Sequence, residues 1–119
     1  MIGIKRVYEP PSASDGYRVL VDGLWPRGLT REAAAIDDWK KSLAPSRDLR
    51  TWFDHQAERW PEFQRRYRAE LAAPEAAAEL RRLQEIAARG PLTLVYAARS
   101  ETENNAQVIW ELLSCSESA

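Results

Sequence analysis

Two short apolar runs constrain this chain most. VLV at residues 19–21 and LTLVYA at residues 92–97 are broken by a single threonine. A strand with one wet face alternates apolar and polar side chains, whereas a continuous run suits a strand covered on both faces. Residues 2–8, IGIKRVY, alternate loosely and read as a further strand. EPPSASDG, at residues 9–16, is dense in turn formers and separates the first two strands by only eight residues. Parallel neighbours usually need a dozen or more, so spacing alone leaves the relative direction of these strands open.

Between the runs lies a helical middle. Thr30 reads as an N-cap, with Ile36, Trp39 and Leu43 as one apolar stripe ending at Pro45. Ser46 caps a second segment carrying Leu49, Trp52 and Phe53 on one side. Pro61 opens a third with Phe63, Tyr67 and Leu71, and Pro74 a fourth with Ala76, Leu80, Leu83 and Ala87, stopped by Gly90-Pro91. Ala106, Ile109, Leu112 and Leu113 mark a last helix, and the closing SESA is expected to fray. Strands at both ends of a helical middle predict an α/β fold: a small, mainly parallel sheet of about three strands covered by helices, three-layered and Rossmann-like. At 119 residues the chain is long enough for one such domain, residues 1–119, and short for two.

Composition removes several classes of function. Seventeen basic residues against eighteen acidic ones are not the balance of a general nucleic-acid binder. One Cys and one His practically exclude zinc sites built from those ligands, so no metal or cofactor is expected, although a carboxylate-bound magnesium stays open. A lone cysteine forms no intrachain disulfide, and MIGIKRVYEPP lacks the apolar stretch of a secretory signal, which together place the chain in the cytoplasm. No apolar run has the length of a membrane span.

In open α/β sheets ligands lie beyond the carboxyl ends of the strands, and two such ends are visible. The first is DGLWPRG at residues 22–28. Asp22 stops the apolar run, Pro26 stiffens the loop, and Arg27 presents a five-donor fork suited to carboxylate or phosphate. The bland alternative pairs Asp22 with Arg27 and buries Trp25 in the core. The second end is AARSETENNA at residues 97–106. Ser100 and Glu103 have capping-box spacing, while Asn104 and Asn105 offer amide donors near a helix N-terminus. His55 is the single imidazole and a conceivable general base, flanked by Asp54 and Glu58 as an ordinary helix-end residue would be. No Ser-His-Asp arrangement can be assembled, and Cys115 sits too near the tail to be a good nucleophile.

IKRVYEPPSASDGYRVLVDGLWPRGL, LAPSRDLRTWFDH, RWPEFQRRYRAEL and GPLTLVYAARSETENNAQV, in this order and spacing, resemble the YeaO-like family, domain-of-unknown-function family 488. The resemblance covers nearly the whole chain and implies a small cytoplasmic α/β domain whose first two strands are parallel. It carries over no activity, substrate or cofactor. The family pattern falls here on Asp22, Trp25, Pro26, Arg27, Gly28, Asn104 and Ala106, with a histidine common at the place of His55. Relatives typically show arginine where this chain has Gly23, Asp or Asn where it has Ser100, and often His where it has Glu103. The departure at Gly23 removes one fork donor beside Arg27.

The leading expectation is therefore a site for a small anionic or nucleotide-like ligand, built from Asp22, Trp25, Arg27 and Asn104, with Asp22 or His55 as acid–base candidates if chemistry occurs. The competing expectation is a non-catalytic, self-associating domain, homodimeric through its helical Trp and Tyr residues.

Overall fold

A computed structural model describes the backbone of residues 2–118 and the side chains of residues 2–114. Four strands, β1 (Ile2–Arg6), β2 (Tyr17–Leu20), β3 (Asp38–Trp39) and β4 (Leu92–Tyr96), form one parallel sheet in the order β1-β4-β2-β3. Strand β4 is buried along its whole length, with Ile2 paired to Leu92 on one side and Tyr17 to Leu92 on the other. The apolar run at residues 92–97 is thus the central strand. The first two strands are parallel, as the resemblance implied. The connection, residues 7–16, is long enough at about 3.3 Å per extended residue to return past a five-residue strand, with one 3-10 turn at Ala13–Asp15 on the way.

Alternation along the strands sorts the core into two layers. Val19, Val21, Leu92, Leu94 and Tyr96 face the larger cluster, where they meet side chains of α2 (Arg47–Phe53), α3 (Trp60–Leu71), α4 (Pro74–Arg89) and α5 (Asn105–Ser118). Leu20 and Val95 face a smaller cluster covered by α1 (Arg31–Ala34), Trp25, Leu29, Ile36 and Trp39. The three layers are therefore lopsided, with one helical face and one face closed largely by the segment between β2 and β3.

Ser46 caps α2 by accepting from the Leu49 amide, and Pro61 and Pro74 stand in the first turns of α3 and α4. One expected helix is corrected. Thr30 does cap α1, accepting from the Ala33 amide, but Ala35 turns left-handed at φ 50° and the chain then adds β3 to the sheet edge. The stripe Ile36, Trp39, Leu43 belongs to two different cores. Ile36 and Trp39 pack in the smaller cluster while Leu43 is buried in the larger one. Helical spacing there came from a chain that crosses between the two faces. At the other terminus α5 keeps residues 116–118 helical, in the tail expected to fray; Ala119 and the Cys115 side chain lie outside the described residues.

The amino end of the sheet is tied by a buried ionic knot. The Arg18 guanidinium donates to Asp15 at 2.6 Å and to the carbonyls of Ala34 and Ala35, and Lys5 reaches Asp15 at 2.9 Å. Gly16, at φ 65°, passes so close to Pro91 that a Cβ would lie 2.2 Å from the Pro91 carbonyl oxygen. Polar side chains at this end of the sheet are thus spent on the fold, and the open polar groups lie at the other.

Candidate functional site

At the carboxyl ends of β2 and β4 the two strands part. The Val21 amide still donates to the Val95 carbonyl at 3.1 Å, but the next ladder bond is replaced by side chains. The Ala97 amide donates to Asp22 Oδ2 at 2.8 Å, and Asn105 Nδ2 donates both to the Val21 carbonyl at 2.9 Å and to Asp22 Oδ1 at 3.1 Å. Asp22 and Asn105 plug the splayed strand ends. Burial raises the Asp22 carboxyl above its ordinary value, while the Ala97 amide, the Asn105 amide and the nearby Arg50 charge oppose that rise.

The loop after Asp22 is held from both sides. Trp39 Nε1 donates to the Asp22 carbonyl at 2.7 Å, Trp25 Nε1 to the Leu29 carbonyl at 2.7 Å, and the two indoles meet edge-on with centroids 5.4 Å apart. Tyr8 Oη donates to the Arg27 carbonyl at 3.1 Å, linking the loop to the end of β1, and Gly28 takes the positive φ of 79° that closes the turn. The Arg27 backbone is fixed while its side chain stays exposed.

The other strand-end loop is tied down as firmly. Ser100 Oγ accepts from the Glu103 amide at 2.9 Å, but it closes a turn ahead of the helix. The N-cap of α5 is Asn104, whose Oδ1 accepts from the Gln107 amide at 2.9 Å and whose Nδ2 donates to the Ser100 carbonyl at 3.0 Å. Arg6 pins this loop to β1 by donating to the Ala97 and Ala98 carbonyls.

Between the two loops and the end of α2 opens a pocket of about 400 Å³. Asp22, Trp25, Arg27, Asn104 and His55, the residues singled out from sequence, all line it. Their roles differ. Asp22 and Asn104 have their polar atoms engaged in the fold, and Trp25 is a wall whose ring also packs on Trp39. Arg27 is not paired with Asp22, and it has no ion-pair partner among the described residues. His55 follows Asp54 in a two-residue left-handed turn, φ 45° then 53°, with its ring 6.2 Å from that of Phe53. Consecutive left-handed residues with side chains cost free energy, and such strain clusters at functional sites. Among the described residues no group of three or more His, Cys, Asp or Glu side chains is placed to hold a metal ion, and no helix is long and apolar enough to cross a membrane.

The family model described as the inactive DUF488-N3 subclade matches residues 1–118. The chain belongs to the DUF488 family. This DUF488 chain is 46% identical over 112 residues to the uncharacterized protein YeaO of Escherichia coli strain K12, covering 94% of the chain and 96% of that relative. It is 42% identical over 113 residues to the uncharacterized protein Rv3073c of Mycobacterium tuberculosis strain H37Rv, covering 95% and 93% respectively. No solved structure matches it.

Sequence reasoning missed Arg50, the second guanidinium of the DUF488 pocket. It stands over Gly23: a Cβ at that glycine would lie 3.8 Å from Arg50 Cζ and Nη1. A guanidinium thus lies beside position 23, carried by α2, and Arg50 too has no ion-pair partner among the described residues. The available signal was weak. Arg50 precedes Phe53 by three residues, so the two share a helix face, and Phe53 also lines the pocket. Asn105 was recognised as a donor but not as the residue that closes the strand ends.

Proposed function

We propose that the pocket beyond β2 and β4 binds a small anionic ligand and that the domain acts by binding, without catalysis. One observation carries this reading: Arg27 and Arg50 line the same open pocket, and neither guanidinium is neutralised by an ion pair among the described residues. A guanidinium presents paired donors that match carboxylate or phosphate, and both side chains are exposed where an incoming anion can reach them.

Two features support binding over chemistry. Both Asp22 oxygens already accept hydrogen bonds, which suits a group that shapes the pocket floor better than one that shuttles protons. The matching family model is described as inactive. The self-association reading loses much of its motive, because the helical aromatics pack on one another. Phe53, Trp60, Phe63 and Tyr67 stand in a chain with successive centroids 5.9, 5.4 and 5.5 Å apart. The single cysteine suits action in a reducing cytoplasm.

Calorimetry at low ionic strength with acetate, inorganic phosphate and 3-phenylpropanoate tests the proposal. Binding of at least one anion is expected, weakened at least tenfold in Arg27→Ala and in Arg50→Ala. Equal affinity in the folded double variant would remove the arginines from the site.

A further inference from the structure

The walls of the pocket say more about the ligand than its charge does. Phe53, Phe63, Pro45 and Trp25 line the interior. Tyr8, 45% exposed, and Leu24, 70% exposed, also line it, and they are the exposed large hydrophobics of the described residues. Apolar surface left open on the rim of a concave site gains free energy when an apolar body covers it. The charges restrict the head of such a molecule. Two guanidiniums, Arg27 and Arg50, are set against two carboxylates, Asp22 and Glu103. A phosphate monoester brings a charge of about −1.5 to −2 at neutral pH and meets both carboxylates with it. The two guanidiniums and two carboxylates balance, so the pocket holds no net positive charge to reward a second negative one. A single carboxylate already fills the bidentate fork of one arginine.

We propose that the ligand is a hydrophobic monocarboxylate, a compact aryl or branched-alkyl body carrying one carboxylate. The body lies against Leu24, Tyr8 and the phenylalanines, and the carboxylate faces Arg50 and Arg27. This rests on the anion-binding reading above and narrows it. A cavity of about 400 Å³ holds a molecule of that size with room for water at its open side.

Four probes decide the matter by calorimetry at pH 7.5: 3-phenylpropanoate, acetate, phenylphosphate and 3-phenylpropan-1-ol. The expected order puts 3-phenylpropanoate at least tenfold tighter than each of the others. Arg50→Met should weaken it at least tenfold. Leu24→Ser, a change at an exposed position, should weaken it severalfold while leaving acetate unaffected. Phenylphosphate binding as tightly as 3-phenylpropanoate overturns the carboxylate head, acetate matching it overturns the hydrophobic body, and either result sinks the proposal while leaving the anion site standing. The alcohol binding as tightly as the acid, or no anion binding at all, overturns both readings.

Discussion

Replacing Asp22 with Ala separates the structural work of this carboxylate from its place in the pocket. The substitution strands two donors, the Ala97 amide at 2.8 Å and the Asn105 amide at 3.1 Å, where β2 and β4 part. Each lost bond to a charged acceptor is worth roughly 1.5–3 kcal/mol, so the gross loss is about 3–6 kcal/mol. Two effects reduce it. Burial penalises the ionised carboxyl, a cost the alanine removes, and the partly open position lets water reach the freed donors. A net destabilisation of about 2 kcal/mol follows. With 119 residues and roughly 2.1 cal/mol/K of unfolding entropy for each, that lowers the melting temperature by about 8 °C. Urea unfolding followed by tryptophan fluorescence measures it, and the same series across pH supplies a sign. The folded state holds the Asp22 proton more tightly than the unfolded chain, whose carboxyl titrates near 3.8. The ionised form's penalty is therefore relieved as pH falls through the folded pKa toward 3.8, and the wild type's lead over Asp22→Ala should widen in that window. A variant within about 0.5 kcal/mol of wild type at pH 7 would refute the idea that Asp22 plugs the strand ends.

Gly16→Ala should cost about 3–5 kcal/mol from its strained φ of 65° and a Cβ 2.2 Å from the Pro91 oxygen, while Gly28→Ala, at φ 79° with open space around it, should cost about 1 kcal/mol; denaturant midpoints compare the two. Tyr67→Phe orphans the buried Leu43 carbonyl and should destabilise by about 1–2 kcal/mol, read from denaturant midpoints. His55→Gly relieves a left-handed φ of 53° and should raise stability by up to about 1 kcal/mol in thermal unfolding. Burial alone would raise Asp15, but Lys5, the Ser12 amide and Arg18 together hold it below its ordinary 3.8. Its contribution is therefore present above pH 3.8 and lost as pH falls through the lower folded pKa, so Asp15→Asn should flatten the acid limb of the stability–pH curve.

The sheet was legible in the apolar runs at residues 19–21 and at β4 and in the loose alternation of β1, and the helices wherever Ser46, Pro61 or Pro74 marked a start. Strand β3 was not. Two residues at a sheet edge carry no period of their own, and Ile36, Trp39 and Leu43 mimic a helical stripe while serving opposite faces of the sheet. The pocket's two loops were legible because acids, glycines and asparagines gather where apolar runs end. What those residues do was less so. Sequence names Asp22 and Asn104 but cannot say that their polar atoms are taken by Ala97, Asn105 and Gln107. Arg50 lay out of reach for another reason. Only the packing of α2 beside Gly23 aims it into the pocket, and its place one turn before Phe53 says which helix face it shares but not that this face borders a pocket.

The most direct measurement is an NMR titration of the arginine side-chain Nε–H resonances with 3-phenylpropanoate, acetate and inorganic phosphate in turn. Arg18, locked to Asp15 and two carbonyls at the far end of the sheet, is the internal control. Saturable shifts at Arg27 and Arg50 with Arg18 unmoved are the expected result. Shifts spread evenly over the surface arginines Arg65 and Arg66, or none at Arg27 and Arg50 with any of the three anions, would contradict a site at the strand ends.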